Sequence, residues 1–190
     1  MKQYVRAFFE SMRSSVPLLL LLVVVSAMCG YVYEVLFYRI DLGVWVNRGT
    51  TFGPWIPIYA VGGFLMALST FRLRQGGHPI LIFAMSGIVC GFLELLAGWM
   101  LLRFFGLRLW DYNVEIWNFG NIGGFICARS VLIFSVFGLL QNYAMIPVLL
   151  FLEKKWRGKA FDCVCVALFT LFVLDVAVSL FVGRASTLAV

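Results

Sequence analysis

Four ionisable side chains stand inside long apolar runs of this chain: Glu34, Glu94, Arg129 and Asp175. A charge at the centre of a bilayer costs about 2.5–3.5 kcal/mol, so by default it marks a functional site or a buried pair. At about 1.5 Å per helical residue they lie about 6, 12, 9 and 12 Å from the outer ends of their runs. Independent structural pairs would scatter in depth, whereas one shared depth predicts a polar cavity open to the outer side. Two carboxylates and a guanidinium at one level suit substrate recognition during transport. They equally suit general-base chemistry, with an arginine holding a phosphate or carboxylate. The plainer alternative is that Arg129 neutralises Glu94 or Glu34 and holds helices together.

These residues must be positioned by membrane helices. Of the 190 residues 63% are hydrophobic and 13% charged, against about 45–50% and 25% in a soluble domain. Runs of about 20 apolar residues span a bilayer, and five are predicted: Val16 to Tyr38, Pro54 to Phe71, Pro79 to Leu102, Gly123 to Gln141 and Asp162 to Gly183. The expected fold class is all-α, an integral membrane bundle of about five helices forming a single polytopic membrane domain over residues 1–190. The segment Tyr143 to Leu152, half a span long and holding Pro147, reads as an interfacial helix or a kinked extension of the fourth span. The first run resembles a secretion signal, but it continues past Cys29 to Tyr38 and is expected to be retained.

The net charge of +6 is read as topology rather than as nucleic-acid affinity. With the N terminus inside, the cytoplasmic segments carry Lys2, Arg6, Arg13, Arg72, Arg74, Lys154, Lys155, Arg157 and Lys159, as the positive-inside rule requires. The expected location is the cell (cytoplasmic) membrane, with both long loops, Arg39 to Gly53 and Arg103 to Ile122, on the outer face. Five cysteines in apolar runs and the single His78 offer no metal or disulfide framework, and no cofactor is expected.

Helical spacing tells which faces turn inward. Gly87, Gly91, Glu94 and Gly98 form a small-residue stripe, Asp175, Ser179 and Gly183 another, and Gly30 with Glu34 a third. Cys29-Gly30-Tyr31 with Gly62-Gly63-Phe64, and Cys90-Gly91-Phe92 with Gly123-Gly124-Phe125, recur at one offset and suggest a parallel internal repeat; chance among abundant Gly and Phe is the alternative. In the first outer loop Asn47-Arg48-Gly49 leads into Gly53-Pro54 and Pro57-Ile58-Tyr59, where the prolines leave backbone groups free. Irregular backbone at membrane depth needs protein or a wet cavity over it. The second loop sets Asp111 between Trp110 and Tyr112, with Asn118 and Asn121 to follow, so acceptors and amides stand beside stacking surfaces.

Glu34, Asn47-Arg48-Gly49, Gly53-Pro54, Pro57-Ile58-Tyr59, Glu94, Trp110-Asp111-Tyr112 and Asn118-x-Gly120-x-Ile122, in that order and spacing, resemble the bacterial ABC-transporter type IV membrane proteins, the CmpB-like permeases. Ala60 stands where that pattern has Gly, and Asn121 where it has Arg. The resemblance implies a permease subunit and a separate ATPase partner, since the chain contains no G-x-x-x-x-G-K-[ST] phosphate loop. The turn Arg72 to His78 is short, so the basic stretch from Lys154 to Lys159 is the candidate for docking, or else an anchor on anionic lipid.

The expected site is therefore an outer polar cavity drawn from Glu34, Asn47, Arg48, Tyr59, Glu94, Trp110, Asp111, Tyr112, Asn118, Arg129 and Asp175. Three functions fit it: a permease moving a small substrate, an intramembrane enzyme acting on a lipid or lipid-linked substrate, or an accessory scaffold. Membrane lipid, an ATPase subunit and a second copy of the chain are the expected partners.

Overall fold

The structure, a computed structural model, describes residues 16–156 and 158–182. Arg157, Arg184 and the basic residues of the first 15 positions lie outside that range, as does Gly183. The described chain is helical: α1 Val16–Asp41, α2 Pro57–Gln75, α3 Pro79–Phe105, α4 Ala128–Leu140, α5 Ile146–Lys155 and α6 Lys159–Phe181. Between α4 and α5 the backbone forms one π-helical turn, Gln141–Met145, so residues 128–155 make a single rod.

By length and apolarity four of these helices can cross a membrane: α1, α3, the 128–155 rod and α6. The helix α2, 19 residues long, carries Arg72 and Arg74 in its last turn. It runs antiparallel to α1 within the bundle, with Tyr59 against Gly30, Gly63 against Ser26, and Ala67 in the cluster of Leu18, Leu19 and Leu22. It thus occupies the same depth as its longer neighbours.

Where the limits differ from the sequence expectation the cause is local. The fourth span starts at Ala128, because residues 123–125 turn through two glycines at positive φ, Gly123 at 61° and Gly124 at 78°. An ideal Cβ at Gly124 would collide with Asp111, Arg108 and Asn113. Of the four segments that suggested a repeat, three are helical and residues 123–125 lie in this turn. The 143–152 segment continues the fourth span: Pro147 follows directly on the π turn, where the ladder of backbone hydrogen bonds is already displaced.

The helices α1 to α4 close on one another. The small-residue stripe of α3 meets α4 and the turn before it: Gly87 lies against Val131 and Ser135, Gly91 against Ile126 and Val131, and Gly98 against Phe125 and Trp110. Gly138 lies so close to Ser86 that a Cβ has no space. At the far end of the 128–155 rod, Ile146 and Leu149 join the α1 core cluster. The helix α6 packs on α1 through Cys165 and Phe172, and its other side, including Leu171, Leu174 and Val178, is exposed apolar surface. That is the pattern of a helix facing lipid.

Candidate functional site

Both long loops lie at one end of the bundle and are tied into it. Residues 42–56 fold back between α1 and α6. The carboxylate of Asp175 accepts hydrogen bonds from the Phe52 N–H at 3.0 Å, the Gly53 N–H at 2.6 Å and the Trp55 indole N–H at 2.7 Å. The Ile56 N–H donates to the Ala27 carbonyl of α1 at 3.2 Å. Irregular backbone among helices is thereby satisfied, as a buried chain requires. Asp175 is a loop anchor and does not line the cavity.

Residues 106–127 form the second loop, which starts from a left-handed Gly106 cap on α3. Its residues alternate in direction. Trp110 turns inward and donates its indole N–H to the Phe125 carbonyl at 3.0 Å. Asp111 turns outward, paired with Arg108 at 2.7 Å and accepting the Asn113 N–H at 2.9 Å. Burial raises the Asp111 carboxyl's pKa, but the Asn113 N–H and the Arg108 guanidinium together outweigh it and hold the group below the usual aspartate range. Tyr112 turns inward again, 9% exposed, and donates its hydroxyl to Glu94 at 2.6 Å. Asn118 is half-buried and donates to the Asn113 carbonyl, so it ties the loop to itself.

Inside the ring of α1 to α4, beneath these loops, lies a partly open cavity of about 70 Å³. A charge network runs along its wall. Glu34 accepts from Arg48 Nε at 3.4 Å, Arg48 Nη2 reaches the Tyr38 hydroxyl at 3.2 Å, and Tyr38 donates to Glu115 at 2.5 Å. Glu115 also accepts from Arg129 Nη2 at 2.5 Å, and Arg129 Nη1 donates to the Ile116 carbonyl at 3.0 Å. Both guanidiniums cover aromatic faces, Arg48 over Tyr38 at 4.0 Å and Arg129 over Phe37 at 3.9 Å. Arg129 therefore neutralises Glu115, a loop residue, rather than Glu34 or Glu94.

A second hollow, a cleft of about 500 Å³, runs under the first loop. Glu34, Asn47 and Arg48 stand on one side of it, and Leu93, Leu101 and Phe105 are among its apolar walls. Asn47 accepts the Tyr31 hydroxyl proton at 2.9 Å. Glu34, Arg48, Ile58, Leu93 and Trp110 line both hollows, so the two meet at the Glu34–Arg48 pair.

Of the residues singled out from sequence, Glu34, Arg48, Tyr59, Glu94, Trp110, Tyr112 and Arg129 line the cavity and Asn47 lines the cleft. Asp111, Asn118 and Asp175 are placed elsewhere. Glu115, 8% exposed, went unnoticed because it stands in a loop segment with no helical period, although its apolar neighbours Val114 and Ile116 could have flagged it. Tyr33, Tyr38 and Gln141 are further lining residues that sequence reasoning missed.

Comparison with known families decides the relationship. A family model described as "Putative ABC-transporter type IV" matches residues 21–180. The chain belongs to that family. The match covers the whole described bundle except its edges and reaches beyond the residues that carry the resemblance in the sequence. Membership associates this ABC-transporter family chain with other transporter components. No curated protein and no solved structure matches the chain.

Proposed function

We propose that this member of the ABC-transporter type IV family is a permease subunit whose substrate site is the cavity among α1 to α4, entered through the cleft under the first loop. The observation that carries it is that the two hollows adjoin, with Glu34 and Arg48 lining both. A membrane protein keeps buried charges where a polar ligand must be received, since each is otherwise costly. The network from Glu34 to Arg129 holds those charges without closing the cavity. Energy comes from a separate ATPase subunit, docked at the end that carries Lys154 and Lys155. The N terminus and that docking end face the cytoplasm of a bacterial cell, and the two loops face outward.

A second reading, an enzyme acting on a lipid-linked substrate, draws support from the apolar walls of the cleft beside Glu34. Purification in mild detergent separates the two. A permease subunit brings down an ATPase, and Arg48→Ala and Glu34→Gln each abolish complementation of a deletion strain. Wild-type complementation by both variants overturns the site. Turnover of added lipid by the purified chain alone overturns the permease reading.

A further inference from the structure

The acidic and basic side chains of the cavity do not pair off. Three carboxylates, Glu34, Glu94 and Glu115, share it with two guanidiniums, Arg48 and Arg129. Both guanidiniums are committed, Arg129 to Glu115 at 2.5 Å and Arg48 to Glu34 at 3.4 Å. Glu94 is the carboxylate left over. It is 6% exposed; one oxygen accepts from Tyr112, and Oε2 has no hydrogen-bond partner among the described residues. An ionised carboxylate in this position is strongly disfavoured until a cation meets it.

The wall around Glu94 is aromatic. Tyr33, Tyr59, Phe134 and Phe137 interlock, with centroid separations of 5.7 Å for Tyr33–Phe137 and 6.2 Å for Tyr59–Phe134. Tyr112 adds a fifth ring. A carboxyl without a cationic partner, set within an aromatic shell, is the chemistry that holds an ammonium group: once ionised against the ligand it supplies the counter-charge, and the rings supply their negative faces. A volume of about 70 Å³ admits several waters or one ammonium head. Among the described residues no three His, Cys, Asp or Glu side chains are grouped to hold a metal ion.

We infer that the cavity binds an organic ammonium group, with Glu94 as its counter-ion and Tyr59, Tyr112 and Phe134 among its aromatic walls. The inference rests on the permease reading and names the charged part of its substrate. Arg129 Nε, also buried without a partner, takes a neutral acceptor such as a hydroxyl oxygen on the same ligand, because Glu115 already matches the arginine's charge.

The test uses the full chain in lipid nanodiscs, with binding read by thermal shift and tryptophan fluorescence. The probes are choline, its neutral isostere 3,3-dimethylbutan-1-ol, and sodium chloride. Choline is expected to bind saturably, with the isostere at least tenfold weaker. Glu94→Gln should weaken choline tenfold or more, a change of about 1.4 kcal/mol, and Phe134→Leu about fivefold, with elution profiles checking that each variant folds. Equal binding of the isostere, equal protection by sodium chloride, unchanged binding in Glu94→Gln, or no binding of choline each overturns the inference. A loss of complementation in Arg48→Ala alongside failed choline binding strikes the ammonium assignment alone. Choline binding to a chain whose Arg48→Ala and Glu34→Gln variants complement fully strikes the permease reading instead.

Discussion

Replacing Arg129 by Met removes the bond to Glu115 at 2.5 Å, the bond to the Ile116 carbonyl at 3.0 Å and the stacking over Phe37 at 3.9 Å. The methionine fills much of the space, so the cost is chiefly electrostatic: Glu115, 8% exposed, is left with Tyr38 as its hydrogen-bond donor. Breaking a buried pair from one side costs about 3–5 kcal/mol, at least a hundredfold in the folding equilibrium. Removing both charges, as Arg129→Met with Glu115→Leu, should recover most of this, since a buried ion pair contributes little net stability against an apolar replacement of similar volume. The Tyr38 hydroxyl then keeps Arg48 and loses its acceptor, which leaves a residual cost of about 1–2 kcal/mol. The assay is unfolding by SDS in mixed micelles, followed by tryptophan fluorescence, for the wild type, both single variants and the double. A single Arg129→Met cost below about 1 kcal/mol, or a double variant no better than Arg129→Met alone, would refute the claim that these charges are coupled and dry.

Four further outcomes are expected. Gly138→Ala should cost about 1–3 kcal/mol by overpacking against Ser86, and Ser86→Gly in the same chain should restore stability in the micelle assay. Asp175→Ala strips the acceptor from Phe52, Gly53 and Trp55, so protease cleavage within residues 42–56 should rise at least tenfold while α3 and α4 stay protected. The carboxyl of Asp111 titrates below its unfolded value, so its contribution to loop order is present above about pH 4 and is lost as pH falls through the lowered value. Pepsin should therefore cut the 106–127 loop faster only in that acid window, and Asp111→Asn should flatten the dependence. Finally, a cysteine at Val114, 82% exposed in the second loop, should react with an impermeant reagent from outside the cell; labelling from the cytoplasmic side alone reverses the proposed orientation.

The helical framework was legible because apolar runs and the Gly87 to Gly98 stripe obey one period along the chain. The same spacing correctly turned Glu94 inward. What spacing cannot carry is partner choice across a loop. Arg129 had three acids within reach of its depth, and the one it takes, Glu115, arrives from a segment with no period at all. Asp175 was misassigned to the cavity for a related reason: depth along a helix is readable, but rotation about the bundle depends on which neighbour packs there. The helix α6 packs on α1 rather than inside the ring, which points that carboxylate at loop backbone. The turn at residues 141–145 was invisible as well, because Gln141 and Asn142 look like the polar end of a span.

That turn has a consequence for how the chain tolerates length changes. Gln141 donates to the Gly63 carbonyl at 2.8 Å and Asn142 to the Thr70 hydroxyl at 3.0 Å, both amides being almost fully buried against α2. The π turn works as a phase shifter, and one residue more or less along an α-helix swings everything downstream by about 100°. Deleting a single residue here would leave α4 seated and turn α5 like a key in the wrong slot. Leu149 would leave the α1 cluster, and Lys154 and Lys155 would point to a different sector of the membrane surface.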